Sequence, residues 1–185
     1  MTRLLVLGML DIQPMSGYDI QQMLKLNDAE RWGGVLIGSI YHALKKMEQE
    51  KLIEVTSIEH TGMRQKAVYT ITDSGRKHLQ ELTQEALKTS SVIYPSTLYS
   101  GLSFYHKLPE EDVVTALELQ KKKVDSEYEA MKAGLELKNS WMQNNMPPMT
   151  KLMFDNMFGI IKLQQEFIEE ALKLLKTDNN SKNDD

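Results

Sequence analysis

Gly38-Ser39-Ile40-Tyr41-His42-Ala43-Leu44-Lys45-Lys46-Met47-Glu48-Gln49-Glu50-Lys51-Leu52-Ile53 is the stretch whose reading decides the fold. At about 100° per residue, Ile40, Leu44 and Met47 share one side of a helix. Tyr41, His42, Lys45, Lys46 and Gln49 share the other. None of these outward groups is arranged for bond chemistry. Each can donate a hydrogen bond to a phosphate oxygen or a base edge, and a single α-helix fits the major groove of DNA. Ser39 stands where an N-cap is expected, a position from which its hydroxyl could also meet DNA.

Beyond Leu52 the period changes. Ile53, Val55 and Ser57 alternate with Glu54, Thr56 and Ile58, and Val68-Tyr69-Thr70-Ile71 is β-branched and aromatic. His60-Thr61-Gly62-Met63-Arg64 between them reads as the turn of a hairpin. Basic residues cluster here at Arg64 and Lys66, and Gly62 with Arg64 suits a wing turn that makes one basic phosphate contact. Thr72 or Asp73 then caps a further helix, expected to run on to Ser91.

Upstream, residues 3–11 are dense enough in apolar side chains for a first buried helix, which Pro14 ends. Ser16 is the expected N-cap of a second, with Tyr18, Ile20, Met23 and Leu24 as its apolar positions. Gly17 and Gly38 are expected to allow close backbone packing. A polar connection, Asn27 to Gly38, is longer than the tight turn of the simplest helix-turn-helix. The order helix, helix, helix, hairpin, helix is that of a winged helix-turn-helix, whose second helix of the pair enters the groove. Periodicity by itself leaves two readings open: a DNA-binding unit, or a non-enzymatic winged-helix module that binds protein.

The second half reads as helical. Pro95 interrupts the chain before an aromatic-rich segment holding Tyr94, Tyr99, Phe104 and Tyr105. Leu108-Pro109-Glu110-Glu111-Asp112 is a helix start, with an early proline and acids in the first turn. That helix is expected to reach about Asn144, before the break at Pro147-Pro148. A last helix, from Met149 to about Lys176, carries a broad apolar stripe. Met153, Met157, Ile160, Ile161 and Phe167 on it are the expected dimer interface. Met-rich surfaces also suit flat apolar ligands, and Trp141 is the residue expected to line such a pocket. The expected division is 1–85 for the winged domain, 86–176 for a helical dimerisation domain, and 177–185 for a disordered tail.

Totals bound the function. The 185 residues include no cysteine, which excludes disulfide and thiolate chemistry. The net charge is −4, but residues 1–80 hold 10 Lys+Arg against 9 Asp+Glu, while the remainder holds 12 against 17. The acidic excess therefore lies away from the proposed groove-facing helix. His42, His60, His78 and His106 form no pair at metal-ligand spacing, and no phosphate-loop or nucleophile-elbow motif occurs. No enzyme activity and no cofactor are expected. No apolar run approaches a membrane span, and a cytoplasmic location is expected.

Three blocks carry a family likeness. Ser16-Gly17-Tyr18-Asp19-Ile20, then Gly38-Ser39-Ile40-Tyr41 with Ala43-Leu44-Lys45-Lys46-Met47-Glu48, then Tyr69-Thr70-Ile71-Thr72-Asp73-Ser74-Gly75-Arg76, resemble the PadR family of bacterial transcriptional regulators. Their order and spacing match over residues 3–80, and the helical extension is similar to the family's longer branch. The resemblance implies a mainly α fold, with a winged helix-turn-helix followed by a helical dimerisation domain. It further implies a homodimer that binds an inverted-repeat operator in double-stranded DNA and usually represses, and a small aromatic effector. Tyr41 would hydrogen-bond a phosphate, with Lys45, Lys46 and a wing residue, Arg64 or Lys66, as the basic contacts. Lys51 departs from the pattern, since many members have glycine there.

Overall fold

The computed structural model describes residues 1–182 apart from 28, 62, 63, 90, 91 and 93. Its contacts divide into two compact units, Met1–Val92 and Ile93–Asp185, several residues beyond the division near 85 expected from sequence. The chain is mainly helical, with one small antiparallel sheet.

The first unit runs α1 (Thr2–Ile12), β1 (Met15–Ser16), α2 (Gly17–Leu26), α3 (Ala29–Gly33), α4 (Ile37–Gln49), β2 (Ile53–Thr61), β3 (Arg64–Ile71) and α5 (Asp73–Lys88). The sheet has the order β1-β3-β2, with Met15 opposite Tyr69 and Ile53 opposite Ile71. Its core is Val6, Leu7 and Leu10 of α1, Ile20 and Leu24 of α2, Ile40, Leu44 and Met47 of α4, with Ile53 and Ile71 closing from the sheet. Burying each such side chain is worth about 1.5–3 kcal/mol. That pattern of apolar positions is why these segments form helices on a common centre.

Local chemistry sets the ends. Ser16 accepts from the Asp19 backbone N–H at 3.2 Å, and the Asp19 carboxylate accepts from the Ser16 backbone N–H at 3.1 Å. This reciprocal capping box starts α2. Thr72 caps α5 by accepting from Gly75 N–H at 3.1 Å. Leu52 joins the two halves of the unit: its carbonyl accepts from the Thr72 backbone N–H at 3.0 Å. A Cβ on Gly75 would lie 2.0 Å from that same oxygen, so only glycine fits. At the end of α4, Leu52 N–H donates to Met47 O at 2.9 Å and Lys51 N–H to Glu48 O at 3.0 Å. This is a Schellman ending, and it places Lys51 at φ 57°, the left-handed region that favours glycine.

Several expectations need correction here. The helix that Ser39 was to cap begins at Ile37, with Leu36 at the N-cap. Ser39 sits in the first turn instead, its hydroxyl donating back to Leu36 O at 2.6 Å, the nearest acceptor behind it. The polar connection before it holds α3, where buried Ala29 and Val35 give it an apolar side. In the ribbon, Val55 is exposed although alternation puts it on the face of Ile53, because Thr56 forms a bulge between Val55 and Ser57 and the strands beyond it leave the core. Tyr18 and Met23 of α2 are exposed as well. α5 stops at Lys88, short of Ser91.

The second unit contains α6 (Ser96–Ser103), a 3-10 turn (Tyr105–Lys107), α7 (Glu110–Trp141) and α8 (Pro148–Lys182). α7 starts after Pro109 with Glu110, Glu111 and Asp112 in its first turn, as helix dipoles favour. It ends at Trp141 rather than Asn144, because Gln143 and Asn144 turn the chain with φ of 50° and 61°. Pro148 opens α8, where a missing N–H costs nothing. α8 continues through Lys182, past the Thr177 at which order was expected to end. Extending an existing helix is far cheaper than nucleating one. α7 and α8 pack antiparallel. Val113, Leu117 and Ile168 form their core, with Tyr99 edge-on to Phe167 at 5.7 Å and Tyr128 edge-on to Phe158 at 5.2 Å. Lys121 pairs with Glu169 at 2.7 Å, and Gln165 donates to Asp125 at 2.7 Å.

Candidate nucleic-acid interface

α4 is divided cleanly by burial. Ile40, Ala43, Leu44 and Met47 are buried, while Tyr41, His42, Lys45, Lys46 and Gln49 are all exposed. The structure therefore brings five of the sequence-predicted residues onto one solvent-facing side of a rigid helix. Ser39, half-buried, lies at the start of that helix, its hydroxyl 3.2 Å from the Thr2 hydroxyl. The five are poised as donors at different heights: a phenol, an imidazole, two ammonium groups and an amide.

The tyrosine is the one whose placement has an identifiable cause. Its ring lies against Gly17, the first residue of α2, where a Cβ would come within 2.7 Å of Tyr41 Cε1. Gly17 thus serves the close packing expected of it. Gly38 does not: a Cβ there would meet nothing within 4 Å.

On the wing, one of the two predicted cations, Lys66, is described. Lys66 Nζ donates to Asp19 Oδ1 at 2.9 Å and lies over the Tyr18 ring at 5.8 Å. The pair ties β3 to the first turn of α2. Burial pushes the Asp19 carboxyl up, but the Ser16 hydroxyl and Lys66 outweigh it and hold the group below the usual carboxylate value. Gly62 and the side chain of Arg64 lie outside the described residues. Sequence reasoning missed the Asp19–Lys66 pair, although the spacing Ser16-x-x-Asp19 announces a capping box. It also missed Arg3, whose guanidinium pairs with Glu50 just beyond α4 and lies 3.4 Å from His78 Nε2 on α5. Tyr69, behind the helix, has its phenol pushed up by burial and by the Glu48 carboxylate.

In the second unit, a cavity of about 570 Å³ is lined by Tyr94, Leu98, Leu102, Tyr105, Leu117 and Gln120 among others. Trp141 is not part of its lining and stands exposed. Of the expected interface residues, Met153 and Ile160 are exposed and Met157 is half-buried. Ile161 is buried against α7, and Phe167 packs on Tyr99, so both are used within the chain. Among the described residues no cluster of three acidic, histidine or cysteine side chains could hold a metal, and no helix is long and apolar enough to cross a membrane.

A buried three-helix centre closed by a two-stranded ribbon, with one polar helix face left outward, defines a winged helix-turn-helix protein. Residues 6–81, the winged-helix part of the chain, match the Transcriptional regulator PadR-like family. No curated protein matches the chain by sequence. Solved structures similar to it include Bacillus subtilis PadR in complex with operator DNA, at 22% identity and TM-score 0.74, covering 94% of this chain and 96% of that one. The PadR-like transcriptional regulator BC1756 from Bacillus cereus is 21% identical with TM-score 0.72, over 96% of this chain and 99% of that one. Bacillus subtilis PadR in complex with p-coumaric acid is 19% identical with TM-score 0.71, over 94% of each chain. At these identities the likeness is one of fold.

Proposed function

We propose that this protein is a PadR-like transcriptional regulator, a cytoplasmic homodimer that represses transcription by binding an inverted repeat in duplex DNA, with α4 in the major groove. The outward side of α4 carries the reading: Tyr41, His42, Lys45, Lys46 and Gln49 are exposed together while the opposite side is fully engaged in the core. Phosphate contacts position such a helix and base contacts specify the sequence. Lys45 and Lys46 are the phosphate-seeking groups, and His42 and Gln49 are the candidates for base edges. The complex of Bacillus subtilis PadR with operator DNA supports the reading by fold. The test is the salt dependence of binding to a duplex selected from random sequence. Replacing Lys45 and Lys46 together by Ala lowers the slope of log K against log[salt] by about 0.9 per lost phosphate contact, or nearly 4 for both lysines in both protomers. An unchanged slope removes α4 from the interface. Retention of a protein partner with no preference for any duplex favours the protein-binding module instead.

The effector reading moves from Trp141 to the cavity behind α6. Its walls are apolar, and the Tyr94 and Tyr105 phenols and the Gln120 amide supply hydrogen-bonding groups. A flat aromatic molecule with a polar end suits that lining, and the p-coumaric acid complex of Bacillus subtilis PadR supports the class of ligand. With p-coumaric acid as the probe, calorimetry is expected to show saturable binding that Ala116→Trp abolishes and Trp141→Phe leaves intact. Binding that instead depends on Trp141 returns the site to the end of α7.

A further inference from the structure

Gly17, the first residue of α2, faces Tyr41 and Leu44 of α4. A Cβ there would lie 2.7 Å and 3.3 Å from two ring carbons of Tyr41 and 3.1 Å from Leu44 Cδ1. Leu44, 2% exposed, would have to give by only a few tenths of an ångström, whereas the Tyr41 ring carbon at 2.7 Å cannot stay where it is. Tyr41 is 50% exposed, so its ring is what would have to move. We propose that Gly17 is a positioning residue for DNA recognition: the missing side chain forms a slot that holds the Tyr41 ring against α2 and fixes where its hydroxyl meets a phosphate. The proposal rests on the DNA-binding reading of α4 and adds a residue that itself touches no DNA.

The slot is held from behind. Ser16, 1% exposed, donates its hydroxyl to Asp19 Oδ2 at 2.7 Å and accepts from the Asp19 N–H at 3.2 Å. Asp19 in turn holds Lys66 of β3 at 2.9 Å. The first turn of α2 is therefore tied to the wing strand, and it cannot drift from α4 to admit a larger residue at 17. In this arrangement Lys66 works as a tether, binding the wing to the turn that seats the tyrosine. A tyrosine held in one rotamer before binding loses little freedom on contact, and a hydrogen bond to a charged phosphate is among the stronger kind.

The experiment uses the full-length chain and a duplex that the wild type selects from random sequence. Gly17→Ala is expected to weaken binding about tenfold, as Tyr41→Phe does, which is the scale of one hydrogen bond to a charged group. In a Tyr41→Ala background the same Gly17→Ala change is expected to cost nothing further, because the colliding ring is gone. Thermal melting follows the same logic: Gly17→Ala lowers the transition, and Tyr41→Ala relieves most of that loss. Wild-type affinity in Gly17→Ala, or an equal loss with and without Tyr41, overturns the proposal while leaving the α4 reading in place. Undiminished binding in Tyr41→Phe and in the Lys45, Lys46 double variant overturns the α4 reading itself.

Discussion

The two units bury their apolar side chains to very different extents. The first closes a core around Val6, Leu7, Ile20, Ile40, Leu44 and Met47, drawn from three helices and sealed by the sheet. Among the described residues of the second, of similar length, Val113, Leu117 and Ile168 form the buried cluster, with Ile161 buried besides. Its long helices meanwhile leave Leu137, Trp141, Leu152, Met153, Ile160 and Leu163 exposed. Two antiparallel helices present only one side each to one another, so a stripe wider than that side stays in water. Exposed apolar surface of this extent marks an interaction face. The contrast teaches that the first unit is complete within one chain, whereas the second has the composition of half a larger core. A second copy is the partner proposed for it.

Neighbouring residues on α8 test the contrast most directly. Ile161→Glu puts a charge where the chain is 8% exposed and is expected to destabilise the second unit by about 3–4 kcal/mol. Ile160→Glu, at a position 56% exposed, is expected to leave the unit folded and to weaken self-association at least tenfold. Trp32 and Trp141 are the only tryptophans, one in each unit. Urea unfolding followed by fluorescence in single Trp→Phe backgrounds therefore separates the two units, and sedimentation measures the association. A dimer undiminished by Ile160→Glu would move the interface off this face. In the first unit the expected effect is smaller and of opposite sign. Lys51 occupies a left-handed conformation, so Lys51→Gly is expected to stabilise by about 1 kcal/mol, read as a higher urea midpoint of the Trp32 signal. A fall in stability would mean that the Lys51 side chain makes contacts worth more than the strain.

The same contrast explains what was legible in the sequence. Ile40, Leu44 and Met47 repeat at helical spacing against a single core, so α4 and its outward residues could be assigned from period alone. The cap at Ser16 was visible because it is a local rule involving residues three apart, and the same rule narrowed the cap of α5 to Thr72 or Asp73, of which the structure uses Thr72. Ser39 misled because a serine before an apolar run looks like a cap; the chain had already become helical at Ile37. β1 and α3 are too short to show a period. Val55 was misplaced because a bulge is invisible to alternation. Pairs between distant segments, Lys66 with Asp19 and Arg3 with Glu50, carry no local signature. In the second unit an apolar stripe could be found but not apportioned: period cannot distinguish Ile161, turned to α7, from Ile160, turned away. The cavity near Tyr94 and Tyr105 needs the fold of α6 before it exists at all.

The meeting of Gly75 with the Leu52 carbonyl also bears on how the first unit reaches its native state. A hairpin between β2 and β3 can close within microseconds, since its partners are neighbours along the chain. A pairing slipped by one residue would send Tyr69 and Ile71 to the wrong side of the sheet. It would equally carry Thr72 and Gly75 away from Leu52, so α5 could not be capped against the ribbon. Docking of α5 thus acts as a proofreading step, accepting only the hairpin whose alignment is already correct.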